Sequence, residues 1–339
     1  MITVIERPVL RSAFFGLRYT PLPRWLGAAH GTNDQGASLD PDVALLLGMA
    51  NLRPDVPWAK KTAPVARASF EVQSQLIEGP ERPLASVRSI SVAGLPARLY
   101  VPHGDTQHRL LVYFHGGGWV VGSLRSHHRL CQALAEEGHQ RVLAVDYRLA
   151  PEHPFPAPVE DALAAFRWAR AHAEQLGATP RSLAVGGDSA GGNLAAVVCQ
   201  QLREAGEAQP AFQLLIYPAT DFRRETPSHR ALGQGYLLTR ESLDWYEERY
   251  APEILDVRCS PLLADSHAGL APAIIVNAGF DPLRDDGAFY GDALRAAGVP
   301  VDQHDHPGQV HGFLSMAGVI PAAARAVTEV AGNCAERYG

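Results

Sequence analysis

From Leu110 onward the chain alternates between short unbroken apolar runs and longer stretches whose apolar positions recur every three or four residues. The runs are Leu110–Phe114, Val142–Asp146, Leu183–Gly186, Phe212–Tyr217, Ala273–Ala278 and Val299–His306. The periodic stretches fall near Ser126–Glu137, Val159–Leu176, Ala190–Ala205, Asp286–Ala297 and Pro321–Arg337. Unbroken runs predict strands buried on both faces, and helices of this length between them predict the crossovers of a parallel sheet. Upstream, period-two patterns at Val87–Val92 and Leu95–Val101 predict a hairpin that opens the same sheet. Two helices are expected before it. One is capped by Asp40, carries Pro41 in its first turn and runs on to Met49; the other extends from Pro64 to Leu76. The expected class is α/β, a mostly parallel central sheet flanked by helices. Two segments break the alternation: residues 1–55 ahead of the sheet, and Asp221 to Arg258 within it.

Ligands of such sheets bind at the carboxyl ends of the strands, so the residues that follow each run are the candidates for chemistry. The run from Leu183 leads into Gly187-Asp188-Ser189-Ala190-Gly191, and an amphipathic stretch follows directly. G-x-S-x-G arises by chance in about one chain in ten of this length, so the strand-turn-helix context carries more weight than the pentapeptide. In that context helix and strand pack so closely that the positions two before and two after the serine need glycine. Ser189 is then held at the tip of a strained bend, in the positive end of a helix dipole. The run Leu110–Phe114 ends in His115-Gly116-Gly117-Gly118-Trp119. Three successive glycines let backbone N–H groups turn toward one point, the geometry an oxyanion needs, and this motif arises by chance in only about two chains per thousand.

Further segments follow in a fixed order: Tyr147-Arg148-Leu149-Ala150-Pro151-Glu152, Ser260-Pro261-Leu262-Leu263-Ala264, Asp281-Pro282-Leu283-Arg284-Asp285-Asp286 and His311-Gly312-Phe313. With the two glycine motifs they make the chain, from about Leu39 to its end, resemble the hormone-sensitive-lipase-like (bacterial family IV) esterases of the α/β-hydrolase fold. The resemblance implies a serine carboxylic-ester hydrolase for short- to medium-chain acyl esters that needs no cofactor and no metal. It also implies that residues 1–55 and 221–258 fold together as a helical cap over a catalytic domain of residues 56–339. The alternative for residues 1–35, rich in Gly and Pro, is a loose arm.

Ser189 is the expected nucleophile, and its hydroxyl is too weakly acidic to attack at neutral pH without a base. Chain order in this fold is serine, acid, histidine. His311 lies after the last run and before the last helix, between Gly308 and Gly312, which is the topological slot for the base. His304 and His306 share one face of the preceding strand and are read as strand surface residues; no carboxylate or cysteine spacing joins them to His311 as a metal site. Asp281, just after the run Ala273–Ala278 and fixed by Pro282, is the expected acid. Asp285 and Asp286 sit where a helix starts and are read as capping residues. The oxyanion hole is expected from the N–H groups of Gly116, Gly117 and Ala190. His115 is read as a brace of the glycine loop, Asp188 as a structural residue turned away from the elbow, and Arg148 with Glu152 as an ion pair or loop brace. Trp119, Tyr217 and Leu238 are candidates for the pocket wall.

Bulk properties narrow the remaining classes. A net charge of -6 gives no basic surface for nucleic acid, and no window of the sequence is apolar for long enough to span a membrane. Glu6, Arg7 and Arg11 interrupt the N-terminal apolar stretch, so no signal peptide is expected. Cys131, Cys199, Cys259 and Cys334 stand far apart without a C-x-x-C, which suits reduced thiols and a cytoplasmic setting. The expected partner is a small-molecule ester, with a homodimer left open. Two rival functions remain: an amidase or N-deacylase on the same residues, and a non-catalytic small-molecule receptor, against which intact Ser189, Asp281 and His311 argue.

Overall fold

The computed structural model describes residues 31–51, 56–104, 106 and 108–338. The apolar runs become strands of one sheet: β1 (Ser86–Val92), β2 (Leu95–Val101), β3 (Leu110–Phe114), β4 (Arg141–Val145), β5 (Leu183–Asp188), β6 (Gln213–Ile216), β7 (Ala273–Phe280) and β8 (Val301–Val310). Their order is β1-β2-β4-β3-β5-β6-β7-β8, with β1, β2 and β4 paired antiparallel and every pairing from β4 to β8 parallel. The α/β class and the mostly parallel sheet are as the sequence predicts.

The helices are α1 (Pro41–Asn51), α2 (Ala63–Ile77), α3 (His128–Glu136), α4 (Ala157–Ala171), α5 (Ala190–Glu204), α6 (Pro227–Ala231), α7 (Arg240–Tyr250), α8 (Arg284–Ala296) and α9 (Pro321–Arg337). Asp40 does cap α1: its carboxylate accepts from the Asp42 N–H at 2.8 Å. Successive side chains of a strand point to opposite faces, and each apolar run therefore feeds two cores. Leu110, Val112 and Phe114 pack with α4 and α5 on one face, while Leu111 and Tyr113 pack with α1, α3 and α9 on the other. His304 and His306 differ from expectation. They are half-buried beneath α9, where His304 faces Glu329 at 3.2 Å and accepts from the Asn333 amide at 3.0 Å. The covering helix, absent from the strand's own pattern, is the reason.

Strand order reverses between β3 and β5, so the loops leaving these neighbours diverge and open a crevice. Residues 217–258 leave the sheet at β6 and return through α6 and α7. Asp285 and Asp286 fasten the base of this excursion. They lie in the first turn of α8, as expected, but they point inward and cap nothing of their own helix. Asp286 accepts from the N–H groups of Thr220 at 3.0 Å and Asp221 at 3.2 Å, and faces His229 Nε2 at 3.1 Å. Asp285 accepts from the Ser228 N–H at 2.8 Å. Of the proposed cap segments, residues 1–30 and 52–55 lie outside the described residues.

Removing a buried carboxylate with these donors leaves the donors unsatisfied. Asp286→Ala is therefore expected to lower unfolding free energy by about 3–5 kcal/mol. Chemical denaturation measures this, and a loss comparable to that of a surface substitution would show that Asp286 does not anchor the excursion.

Candidate active site

Ser189 sits between the last residue of β5 and the first of α5, with φ 55° and ψ -116°, a conformation costly for any residue with a side chain. The flanking glycines are required by contact. A Cβ on Gly187 would lie 2.3 Å from the Phe114 carbonyl oxygen, and one on Gly191 only 1.9 Å from it. The helix therefore leaves the strand end at a distance no other residue permits.

His311 follows β8 directly, and Gly312, at φ 78°, turns the chain away behind it. Asp281 follows β7, is fully buried, and accepts from the Leu283 N–H at 2.8 Å through one oxygen. Its other oxygen lies 2.7 Å from His311 Nδ1, and His311 Nε2 lies 2.9 Å from Ser189 Oγ. A carboxylate only accepts, so Nδ1 carries the proton and Nε2 is left to accept from the serine hydroxyl. The Tyr217 ring packs against the imidazole with centroids 4.8 Å apart. The three residues singled out in the sequence are thus brought into one hydrogen-bonded line.

The profile of the alpha/beta hydrolase fold matches residues 111–315. The chain belongs to this family. It is 45% identical to the carboxylic ester hydrolase LipN of Mycobacterium tuberculosis, over 88% of this chain and 82% of that protein. It is 40% identical to an ethyl acetate hydrolase of Pseudomonas putida, over 84% and 95%. Among solved structures, an ester hydrolase from the metagenome of Lake Arreo, complexed with a bipyridine phosphonate derivative, superposes with a TM-score of 0.86 at 42% identity, covering 89% of this chain and 99% of that one. The hormone-sensitive-lipase-like resemblance is thereby supported, and the chain is an enzyme of the serine carboxylic-ester hydrolase class.

In this hydrolase the glycine loop corrects one expectation. The N–H of Gly116 donates to Asp188 Oδ1 at 3.0 Å and so is not free for an oxyanion. Register explains this: Phe114 pairs with Gly187 across β3 and β5, so the residues beyond them, Gly116 and Asp188, meet. No acceptor faces the N–H groups of Gly117, Gly118 or Ala190 among the described residues. Gly118 is also a contact-required glycine, since its Cβ would meet the Tyr246 ring of α7 at 2.4 Å.

Asp188 has a larger role than a residue merely turned aside. It also accepts from the Tyr113 hydroxyl at 2.6 Å and faces His127 Nε2 at 3.2 Å. Burial raises its pKa, but the charge and hydrogen bond of His127, with the bond from Tyr113, outweigh that and bring it down to about 2. Burial opposes the charged form of His127 too, yet Asp188 leaves its pKa raised. His115 braces the loop as expected, donating from Nδ1 to the Gly116 carbonyl at 2.8 Å and stacking on Tyr147 at 4.5 Å. Burial and the neighbouring His127 lower its pKa to about 4.

Several residues of this neighbourhood carry no local signal. Arg67 on α2 donates to the Val120 and Ala150 carbonyls, each at 2.8 Å, and pairs with Glu152 at 2.6 Å. Arg148 pairs instead with Asp161 at 2.7 Å, so Arg148 and Glu152 brace the loop through different partners and not through each other. Trp119 stacks on Tyr250 at 4.4 Å and lies 5.2 Å from Phe222, fixing α7 over the glycine loop. Trp58 contacts Trp245 and Tyr246 at 5.2 and 5.3 Å, bringing the turn before α2 to the same helix. Tyr217 is fully buried, and Leu238 is half-buried.

His115 yields a pH prediction. Its folded pKa lies below the ordinary 6.5, so the unfolded chain takes up its proton first. Its stabilisation is complete above pH 6.5 and is lost as pH falls toward about 4. Relative to His115→Asn, the parent should lose up to about 1.4 kcal/mol more per pH unit within that window. Denaturation midpoints at graded pH provide the comparison; parallel slopes would contradict the assignment.

Proposed function

We propose that Ser189, His311 and Asp281 carry out hydrolysis of short- to medium-chain acyl esters through an acyl-enzyme intermediate. The observation that carries the proposal is the unbroken line from Asp281 Oδ2 to His311 at 2.7 Å and from His311 to Ser189 Oγ at 2.9 Å. His311 Nε2 takes the Ser189 proton as Oγ bonds to the ester carbonyl carbon, and the carbonyl π electrons move onto oxygen. The N–H groups of Gly117, Gly118 and Ala190 hold that oxyanion, a role supported by their lack of acceptors among the described residues. The carbonyl re-forms, the bond to the alcohol oxygen breaks, and His311 gives the alcohol its proton. Water then repeats the sequence and releases the acid. Asp281 keeps the imidazole in the required tautomer and stabilises the imidazolium.

Residues 31–51, 56–61 and 217–258 form the wall of the acyl and alcohol pockets, a reading supported by the contacts of Trp58, Tyr246 and Tyr250 around the glycine loop. The cytoplasm is the setting that four buried, unpaired cysteines support. No helix among the described residues is long and apolar enough to cross a membrane. A homodimer is the assembly state to test first, by light scattering.

An organophosphate is expected to add one equivalent, on Ser189, and Ser189→Ala to lose activity by at least about 10⁴-fold. Asp281→Asn, which keeps shape but favours the wrong tautomer, should lose about 10⁴-fold in kcat with the fold intact. Mass spectrometry placing the adduct on another residue, or full turnover in either variant, would refute the assignment. A panel of esters graded in acyl length should show turnover falling toward the long-chain end.

A further inference from the structure

Residues 32–40 form a turn braced by its own bonds. Thr32 and Ser38 pair as an antiparallel bridge, the Asn33 N–H donates to the Ala37 carbonyl at 2.9 Å, and Asn33 Oδ1 accepts from Gln35 at 3.1 Å and Ala37 at 2.8 Å. From this turn, bonds reach the ends of both strands that lead into the triad's acid and base. The Asn33 amide donates to the Gly279 carbonyl at 2.8 Å, two residues before Asp281. Asp34 grips the Arg284 guanidinium with both oxygens, at 2.6 and 2.9 Å, three residues after it. At the end of β8, the Asp40 N–H donates to the Gly308 carbonyl at 2.9 Å. The Gln309 amide returns a bond to Asp40 Oδ2 at 3.1 Å, two residues before His311. The fit at this end is tight, because a Cβ on Gly308 would come within 3.1 Å of the Ser38 carbonyl.

Parallel strands β7 and β8 pair as far as Phe280 and Val310, and the residues immediately beyond must hold a carboxylate and an imidazole in register. The ladder is already irregular there, with a register shift between Ala278 and Phe280. We propose that residues 33–40 are a positioning strap that holds the ends of β7 and β8, and with them Asp281 and His311, at hydrogen-bonding separation, with Asn33 and Asp34 as its posts on the Asp281 side and Asp40 on the His311 side. The strap rests on the triad reading above, since it acts through Asp281 and His311 and touches no reacting atom. Arg284, 7% exposed at its side chain, has its guanidinium shared between Asp34 and Asp285. It thereby ties the strap to the same α8 turn that anchors Ser228.

A displacement of about 1 Å in a catalytic group costs on the order of 100-fold in rate, whereas a binding-wall role would appear in KM. Asn33→Ala and Asp34→Ala are therefore expected to lower kcat for a 4-nitrophenyl ester by roughly 10- to 100-fold, with KM within about twofold. Asp34→Glu, which keeps the grip on Arg284, should restore most of the loss. The downfield proton resonance of His311 Nδ1–H should shift or broaden in the two alanine variants and not in Asp34→Glu. If Asn33→Ala does not fold, Asp34→Ala with its Glu counterpart decides the matter. Folded variants that keep kcat and the resonance, or that lose only KM, would overturn the strap. His311→Ala, assayed alongside, separates the two failures: its retained turnover would sink the triad reading itself, and its loss beside intact strap variants would sink the strap alone.

Discussion

The approach of α5 to the end of β3 is the contact on which the site depends. Glycine at 187 and 191 lets the helix start against the Phe114 carbonyl, and nothing larger fits there. Ser189 is thereby held at φ 55°, a strain of about 1–3 kcal/mol that only an overdetermined surrounding sustains. That surrounding is α5 itself, whose residues from Ala190 to Gln200 are all buried. The same contact sets the glycine loop beside the elbow, so Ser189 and the backbone N–H groups of Gly117, Gly118 and Ala190 are brought together by one crossing and not by two independent devices.

Two buried Asp–His pairs then perform different structural work. Burial pushes both carboxylates toward the neutral form. At Asp188, His127 and the Tyr113 hydroxyl overcome that push; at Asp286, His229 and two backbone N–H groups do not, and its pKa stays raised. The first pair joins the elbow to the glycine loop as a charged node. The second joins α8 to the excursion of residues 217–258. Each carboxylate bonds backbone N–H groups of a distant segment, which fixes loops that have no ladder of their own.

Legibility in the sequence followed the range of the interaction. Strands β3, β5 and β7 are apolar on both faces, so local pattern reveals them; β8 extends to Val310, beyond the expected His306, because polar residues and Pro307 mask an edge strand. Ser189, Asp281 and His311 are legible from chain order and their positions after strand ends, and they lie in hydrogen-bond contact. The occupied N–H of Gly116 was not legible, since its acceptor is 72 residues away and belongs to a register that no local pattern states. Of the two readings of Arg148 and Glu152, an ion pair or a loop brace, the brace holds and a pair with each other does not. Their partners, Asp161 and Arg67, belong to α4 and α2, which no local pattern around residues 147–152 names.

The bonds of the site also span very different lengths of chain. His311 reaches Asp281 across 30 residues and Ser189 across 122, while the turn at residues 33–40 is joined to strand ends 246 and 269 residues away. Contacts of such separation form after the local ones, because the loop entropy of closing them is met only once the intervening sheet exists. During synthesis the residues of the elbow and the glycine loop leave the ribosome before those of β8. The nascent chain therefore carries Ser189 before His311 has been added, and the line from Asp281 through His311 to Ser189 closes only when the last tenth of the sequence arrives.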